Sequence, residues 1–274
     1  MTENITTVVS ADVLAQLKES YPIEESFHRL LLPRLGLRSQ DVREGKGKAM
    51  KVTEEAGTFY IERQTDELNE NDKKIWKKEE IGTQVEIIIL YHRKQLRFYD
   101  SSNEIYTSSP IYDTNDQVIP LFCNKVEVDR GTPDELKSRP IYQGISAKGK
   151  PISKLEENRI LYALYKNEMF QVSLRGTSMY AFLSYARTVL PPTVVTSCSS
   201  EAREQGTINW NQMTFLKSRD IDAKEAEEVL GRVAEIKTAI ESEKNYYGKI
   251  NTIDTSVAFP RPSSEGDPDL EPLF

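Results

Sequence analysis

Residues 83–100, TQVEIIILYHRKQLRFYD, carry the longest strand-like pattern in the chain. Val85, Ile87, Ile89, Tyr91, Arg93, Gln95, Arg97 and Tyr99 share one face of the predicted strand. Ile88, Leu90, His92, Lys94, Leu96 and Phe98 share the other. The first half is apolar on both faces and predicts burial, whereas the second half sets three cations among aromatics and predicts emergence from the core. Alternation also predicts strands in GTFYIERQT (57–65), NEIYTSSPIYD and QVIPLF. RILYALYKNEMFQVSLRG reads as a hairpin turning at KNE, TSMYAFLSYARTVL as an amphipathic helix stopped by Pro191 and Pro192, and TVVTSCSSEAREQGTINWNQMTFLKS as a hairpin turning near EQG. Strand, then two strands, a helix and two strands is the element order of an OB-fold.

Helical spacing appears at both ends. SADVLAQLKESYPIEESFHRLLLPRLG predicts helix with Ser10 as N-cap, and GTPDELKS a short helix capped by Thr132 with Glu135 in a capping box. DIDAKEAEEVLGRVAEIKTAIESEKNYYG predicts a long helix, capped by Asp222 with Glu225. Its stripe of Ala226, Val229, Leu230, Val233, Ile236 and Ile240 is expected to pack on the β body. LRSQDVREGKGKAMKVTEE and the charged DELNENDKKIWKKEE predict loops, and YQGISAKGKPISK a flexible insertion. The expected fold is therefore α+β and mainly β. It comprises an N-terminal helical segment and loop (1–48), an OB-like five-stranded barrel with insertions (49–220), a C-terminal amphipathic helix (221–248) and a disordered acidic tail (249–274).

Composition narrows the class. With 38% hydrophobic and 29% charged residues in 274, most of the chain is expected to fold. The first residues show no basic-then-apolar leader, and no run approaches the ~18 apolar residues of a membrane span, so an intracellular, cytoplasmic protein with no membrane partner is expected. Cys123 and Cys198 stand in unrelated contexts and are expected as buried free thiols; with only His28 and His92 besides, no zinc-ligand spacing exists. The net charge of -7 is concentrated in the tail, where Asp254, Glu265, Asp267, Asp269 and Glu271 face Arg261 alone. The rest is near neutral and free to present a basic face.

Catalytic patterns are missing from the sequence. RGTSMY lacks the GxSxG elbow, which leaves Ser178 a first-turn residue, and GKGK (45–48) is not a P-loop. The expectation is a non-enzyme with no cofactor and no metal, although scattered carboxylates leave a magnesium nuclease as a distant alternative. What stands out is cations interleaved with aromatics. KKIWKKEE places Trp76 beside Lys77 and Lys78, and YHRKQLRFY places Arg93, Lys94 and Arg97 among Tyr91, Phe98 and Tyr99. Tyr162, Arg175 and Trp210 join them from the proposed third and fifth strands. Cations tracking phosphates and rings stacking on bases are the two parts of single-strand recognition.

The chain's last residues, SSEGDPDLEPLF, combine acids with apolar residues, a pattern suited to a basic, apolar-lined pocket on a partner protein. Asp267, Asp269, Glu271, Pro272, Leu273 and Phe274 make this segment resemble the tail of bacterial and phage single-stranded DNA-binding proteins, commonly DDDIPF. Here Pro precedes Leu273 and the acids are spaced by Pro and Leu. The body is longer than a bacterial single OB domain and is more similar to phage-encoded members. The resemblance implies an OB-fold body that coats single-stranded DNA, with RNA as an alternative, in a bacterial cell or phage-infected host. It also implies that Asp267, Asp269, Glu271, Leu273 and Phe274 recruit replication, recombination or repair enzymes. It sets no oligomeric state. The competing expectation is a protein-interaction or assembly factor that binds no nucleic acid.

Overall fold

Turn and cap chemistry sets the element boundaries. Lys166 and Asn167 both adopt positive φ, 50° and 65°, forming the two-residue turn across which Tyr165 pairs with Glu168. Asp222 Oδ1 accepts from the Glu225 N–H at 2.8 Å while Glu225 Oε2 accepts from the Asp222 N–H at 2.9 Å. The same reciprocal box joins Thr132 and Glu135.

The computed structural model describes residues 32–44, 51–68, 74–100, 105–123, 126–146 and 149–250. Most of the expected N-terminal helical segment and the whole of 251–274 lie outside them. In chain order the strands are β1 (Arg34–Leu37), β2 (Val42–Glu44), β3 (Lys51–Glu54), β4 (Phe59–Leu68), β5 (Lys74–Gly82), β6 (Gln84–Asp100), β7 (Ile105–Tyr112), β8 (Ile119–Cys123) and β9 (Val126–Gly131). Helix α1 (Pro133–Ser138), β10 (Gln143–Ile145), β11 (Pro151–Ser153), β12 (Glu156–Tyr165) and β13 (Glu168–Leu174) follow. Helix α2 (Gly176–Ala186), β14 (Val194–Gln205), β15 (Ile208–Asp220) and α3 (Ala223–Ile250) complete the described chain.

Eleven strands form one mixed sheet along the path β5-β4-β1-β13-β12-β6-β7-β8-β9, with β14 joined to β6 and β15 to β14. This path does not close on itself, which corrects the expected five-stranded barrel to a large, mainly β, mixed sheet with three α-helices among the described residues. Four further expectations change. RLGL (34–37) is a strand, parallel to β13 and antiparallel to β4. The Trp76 stretch, expected as a loop, is β5, an end strand of the sheet whose charged residues suit an exposed edge. Parts of the other two predicted loops pair as well, β2 with β3 and β10 with β11.

Strand β6 organises the sheet. Gln84 to Ile87 pair with β14, Ile88 to Arg97 with β12, and Lys94 to Asp100 with β7. Tyr91 pairs with Tyr162 and Ile89 with Ala163, so Leu90 is an extra residue in a β-bulge. The bulge inverts the alternation. Val85, Ile87 and Ile89 pack with Phe182 of α2 and Phe215 of β15, while Ile88, Leu90 and now Tyr91 pack under Val229, Val233, Ile236 and Ile240 of α3. Fully burying each such aliphatic side chain contributes about 1.5–3 kcal/mol, so α3 is held by its stripe. A third cluster joins Leu96, Tyr112, Leu121 and Leu136 around α1. Among the described residues no helix is long and apolar enough to cross a membrane. Cys198 is buried, and burial pushes its thiol pKa upward; Cys123, expected buried, is half-exposed near a sheet end.

Candidate nucleic-acid interface

Where β1, β4 and β5 lie side by side, one face collects rings and cations by cross-strand register. Arg34 pairs with Glu62, Gly36 with Tyr60, and Gln64 with Trp76. The Arg34 guanidinium lies over the Trp76 ring at 4.5 Å, and Lys78 Nζ over the Tyr60 ring at 5.0 Å. Gly36 is required beneath: a Cβ there would stand 2.5 Å from Tyr60 Cζ. The segment carrying Arg34 is pinned from both sides, since the Pro33 carbonyl accepts from the Gln171 N–H at 2.9 Å and the Ser39 carbonyl from the Asn211 N–H at 2.7 Å.

This face forms one wall of an open cleft of about 1170 Å³. Gln95 and Arg97 of β6, Ser173 of β13, Arg175 before α2, Tyr180 of α2 and Trp210 of β15 line it from other elements, and Lys137 of α1 reaches it. The Trp210 indole N–H donates to Thr177 Oγ1 at 3.1 Å, which sets the ring against the start of α2. Ser178 stands in the first turn of α2, as expected, and its Oγ accepts from the Met213 N–H at 2.9 Å, which docks α2 on β15. Tyr106 of β7 adjoins the cleft with Arg97 5.9 Å from its ring centre. Its hydroxyl pKa is raised, by burial first, against the opposing influence of Arg97, Arg175 and Arg34. Glu62, Glu156 and Glu157 share the cleft, with Arg34 bonded to Glu62 at 3.2 Å and Lys137 to Glu157 at 3.0 Å. Arg175 has no ion-pair partner among the described residues.

Of the residues singled out by sequence, Trp76, Arg97, Arg175 and Trp210 converge on this cleft, and Lys78 stands beside it over Tyr60. Lys77 points to the opposite face of β5 and pairs with Glu67 at 2.5 Å. The structure withdraws Tyr91, Tyr162 and Arg93. The two tyrosines are 1% and 2% exposed, edge to face under α3, and the bulge at Leu90 is what turns Tyr91 there. Arg93 is buried in a two-pronged pair with Asp113 at 2.8 and 3.1 Å. Lys94 bonds Asn115, and Phe98 packs edge-on against Tyr142 in the third cluster. Tyr99 is exposed but does not line the cleft. Asp267, Asp269, Glu271, Leu273 and Phe274 lie outside the described residues.

Sequence reading missed Arg34, Tyr60, Tyr106 and Tyr180. Arg34 and Tyr60 carry a signal in hindsight: an aromatic in alternation opposite a glycine-containing RLGL segment. Among the described residues, no three His, Cys, Asp or Glu side chains gather as a metal site would. Neither family models, nor curated proteins, nor solved structures give a match to this chain.

Proposed function

We propose that the protein binds single-stranded DNA non-catalytically in this cleft, by ring stacking and phosphate contacts. The observation that carries the reading is that the chain's two tryptophans, far apart in sequence and on strands that do not pair, β5 and β15, line one cleft together with three arginines. An exposed ring beside a guanidinium offers a base a π-face and its phosphate a cation, and each stacked base contributes about 1–3 kcal/mol. Strand order adds support. The ladders β13-β12-β6-β14-β15, with α2 between β13 and β14, follow the neighbour order of an OB barrel's five strands, with β1 running beside the third where such a barrel is partly open. On this reading residues 267–274 recruit replication, recombination or repair enzymes through their acids and apolar residues in a bacterial or phage-infected cytoplasm.

The test is fluorescence anisotropy of a labelled oligo-dT with the full chain and with a form ending at Asn251, at low and moderate salt. Tight binding that weakens steeply with salt, and persists or tightens without 252–274, is the expected result. Trp76→Ala and Trp210→Ala should each weaken it by about 1–3 kcal/mol. Negligible affinity of both forms even at low salt would overturn the reading. Glu62, Glu156 and Glu157 in the cleft and the exposed Ile141, Ile145 and Ile152 would then favour a protein-assembly factor.

A further inference from the structure

Arg97 stands in the cleft on a buried support. Gln95, two residues earlier on the same face of β6, is 8% exposed. Its amide is used at both ends: Nε2 donates to the Ser109 carbonyl at 2.9 Å, and Oε1 accepts from Arg97 Nε at 2.8 Å. Ser109 is itself buried, and its Oγ accepts from the Leu96 N–H at 2.9 Å, so the anchor on β7 is tied back to the strand that carries Arg97. A buried amide is unfavourable unless its hydrogen bonds are made, and an aliphatic residue would fill this strand position without that demand. The packing alone therefore does not call for glutamine. What the amide does is fix a guanidinium at Nε, with its plane set near the Tyr106 ring. A guanidinium fixed in this way is pre-organised for the two-pronged geometry a phosphate offers. Arg175 lines the same cleft and has no ion-pair partner among the described residues.

We infer that Gln95 is a positioning residue that holds Arg97 as a phosphate fork, so that Arg97 and Arg175 form a subsite for one backbone phosphate of the bound strand. This rests on the nucleic-acid reading above. The experiment measures oligo-dT affinity over a series of salt concentrations for the wild type, Arg97→Met, Arg97→Lys, Gln95→Met and the double variant Gln95→Met/Arg97→Met, with thermal melts of each. Arg97→Met should reduce the magnitude of the log K against log salt slope by about 0.7, the contribution of one phosphate on a single strand. Gln95→Met should keep the slope and weaken binding about three- to tenfold, the range of one hydrogen bond. Its effect should vanish in the Arg97→Met background. Arg97→Lys keeps the charge and loses the Nε bond, so it should behave as Gln95→Met does and carries the comparison if the buried methionine unfolds the protein. An unchanged slope for Arg97→Met, in a protein whose wild type binds, overturns the inference and leaves the wider reading standing. A Gln95→Met loss that is the same with and without Arg97 also overturns it, since the residue would then act through the fold. Failure of the wild type to bind any oligonucleotide overturns both.

Discussion

Tyr60 owes its place to the residue it lies on. Its ring covers Gly36 so closely that the methyl of an alanine would meet Cζ at 2.5 Å and the hydroxyl oxygen at 2.6 Å. Either the ring leaves the cleft wall or β1 moves from β4, and both undo the pairing of Lys78 and Arg38 with that ring. Gly36→Ala should therefore cost about 1–3 kcal/mol of stability, the usual range for overpacking, read by urea denaturation, and should lower oligo-dT affinity as well. Exposure separates this tyrosine from those of the core. Tyr91 and Tyr162 carry the same hydroxyl and ring, yet their surroundings are aliphatic, and burial raises the Tyr91 pKa far above its ordinary value. A tyrosine becomes a stacking surface through what leaves it uncovered.

Among elements, α3 decides what is left uncovered on one side of the sheet. Ile236 is fully buried between the helix and β6, β12 and β13. Ile236→Ala should destabilise the protein by about 2–5 kcal/mol while leaving oligo-dT affinity within error at temperatures where it stays folded, because Ile236 does not line the cleft, whose lining meets this cluster at Ile111 and Leu32. The helix was legible because its apolar spacing and its Asp222–Glu225 box are both local, and the same holds for β6, α1 and the hairpin turns at Lys166 and Asn167. β1 was not, since four residues have no periodicity and its extended form is imposed by β4 and β13. β5 was not, since Lys and Glu on an edge strand read as a solvated loop until a partner strand is known. The bulge at Leu90 was the costliest omission. Strict alternation put Tyr91 with Ile89, and one extra residue moved it, with Arg93, to the other face. Tyr91 and Arg93 left the candidate site with it, while Arg97 remained, beside residues from β1, β4 and β7.

At the scale of the molecule, a chain with net charge -7 presents one cleft in which Arg34, Arg97, Arg175 and Lys137 outnumber Glu62, Glu156 and Glu157. The margin is small, so ring stacking rather than charge must supply much of the affinity on the proposed reading. Both tryptophans of the chain line this cleft, which makes tryptophan emission a reporter of that site. The most direct measurement is a titration of the full-length protein with oligo-dT at low salt, followed by tryptophan emission, alongside Trp76→Phe and Trp210→Phe. The account predicts strong quenching in the wild type, a partial share of it in each single variant, and much less with a duplex of equal length. Emission that stays unchanged as oligo-dT is added would contradict it.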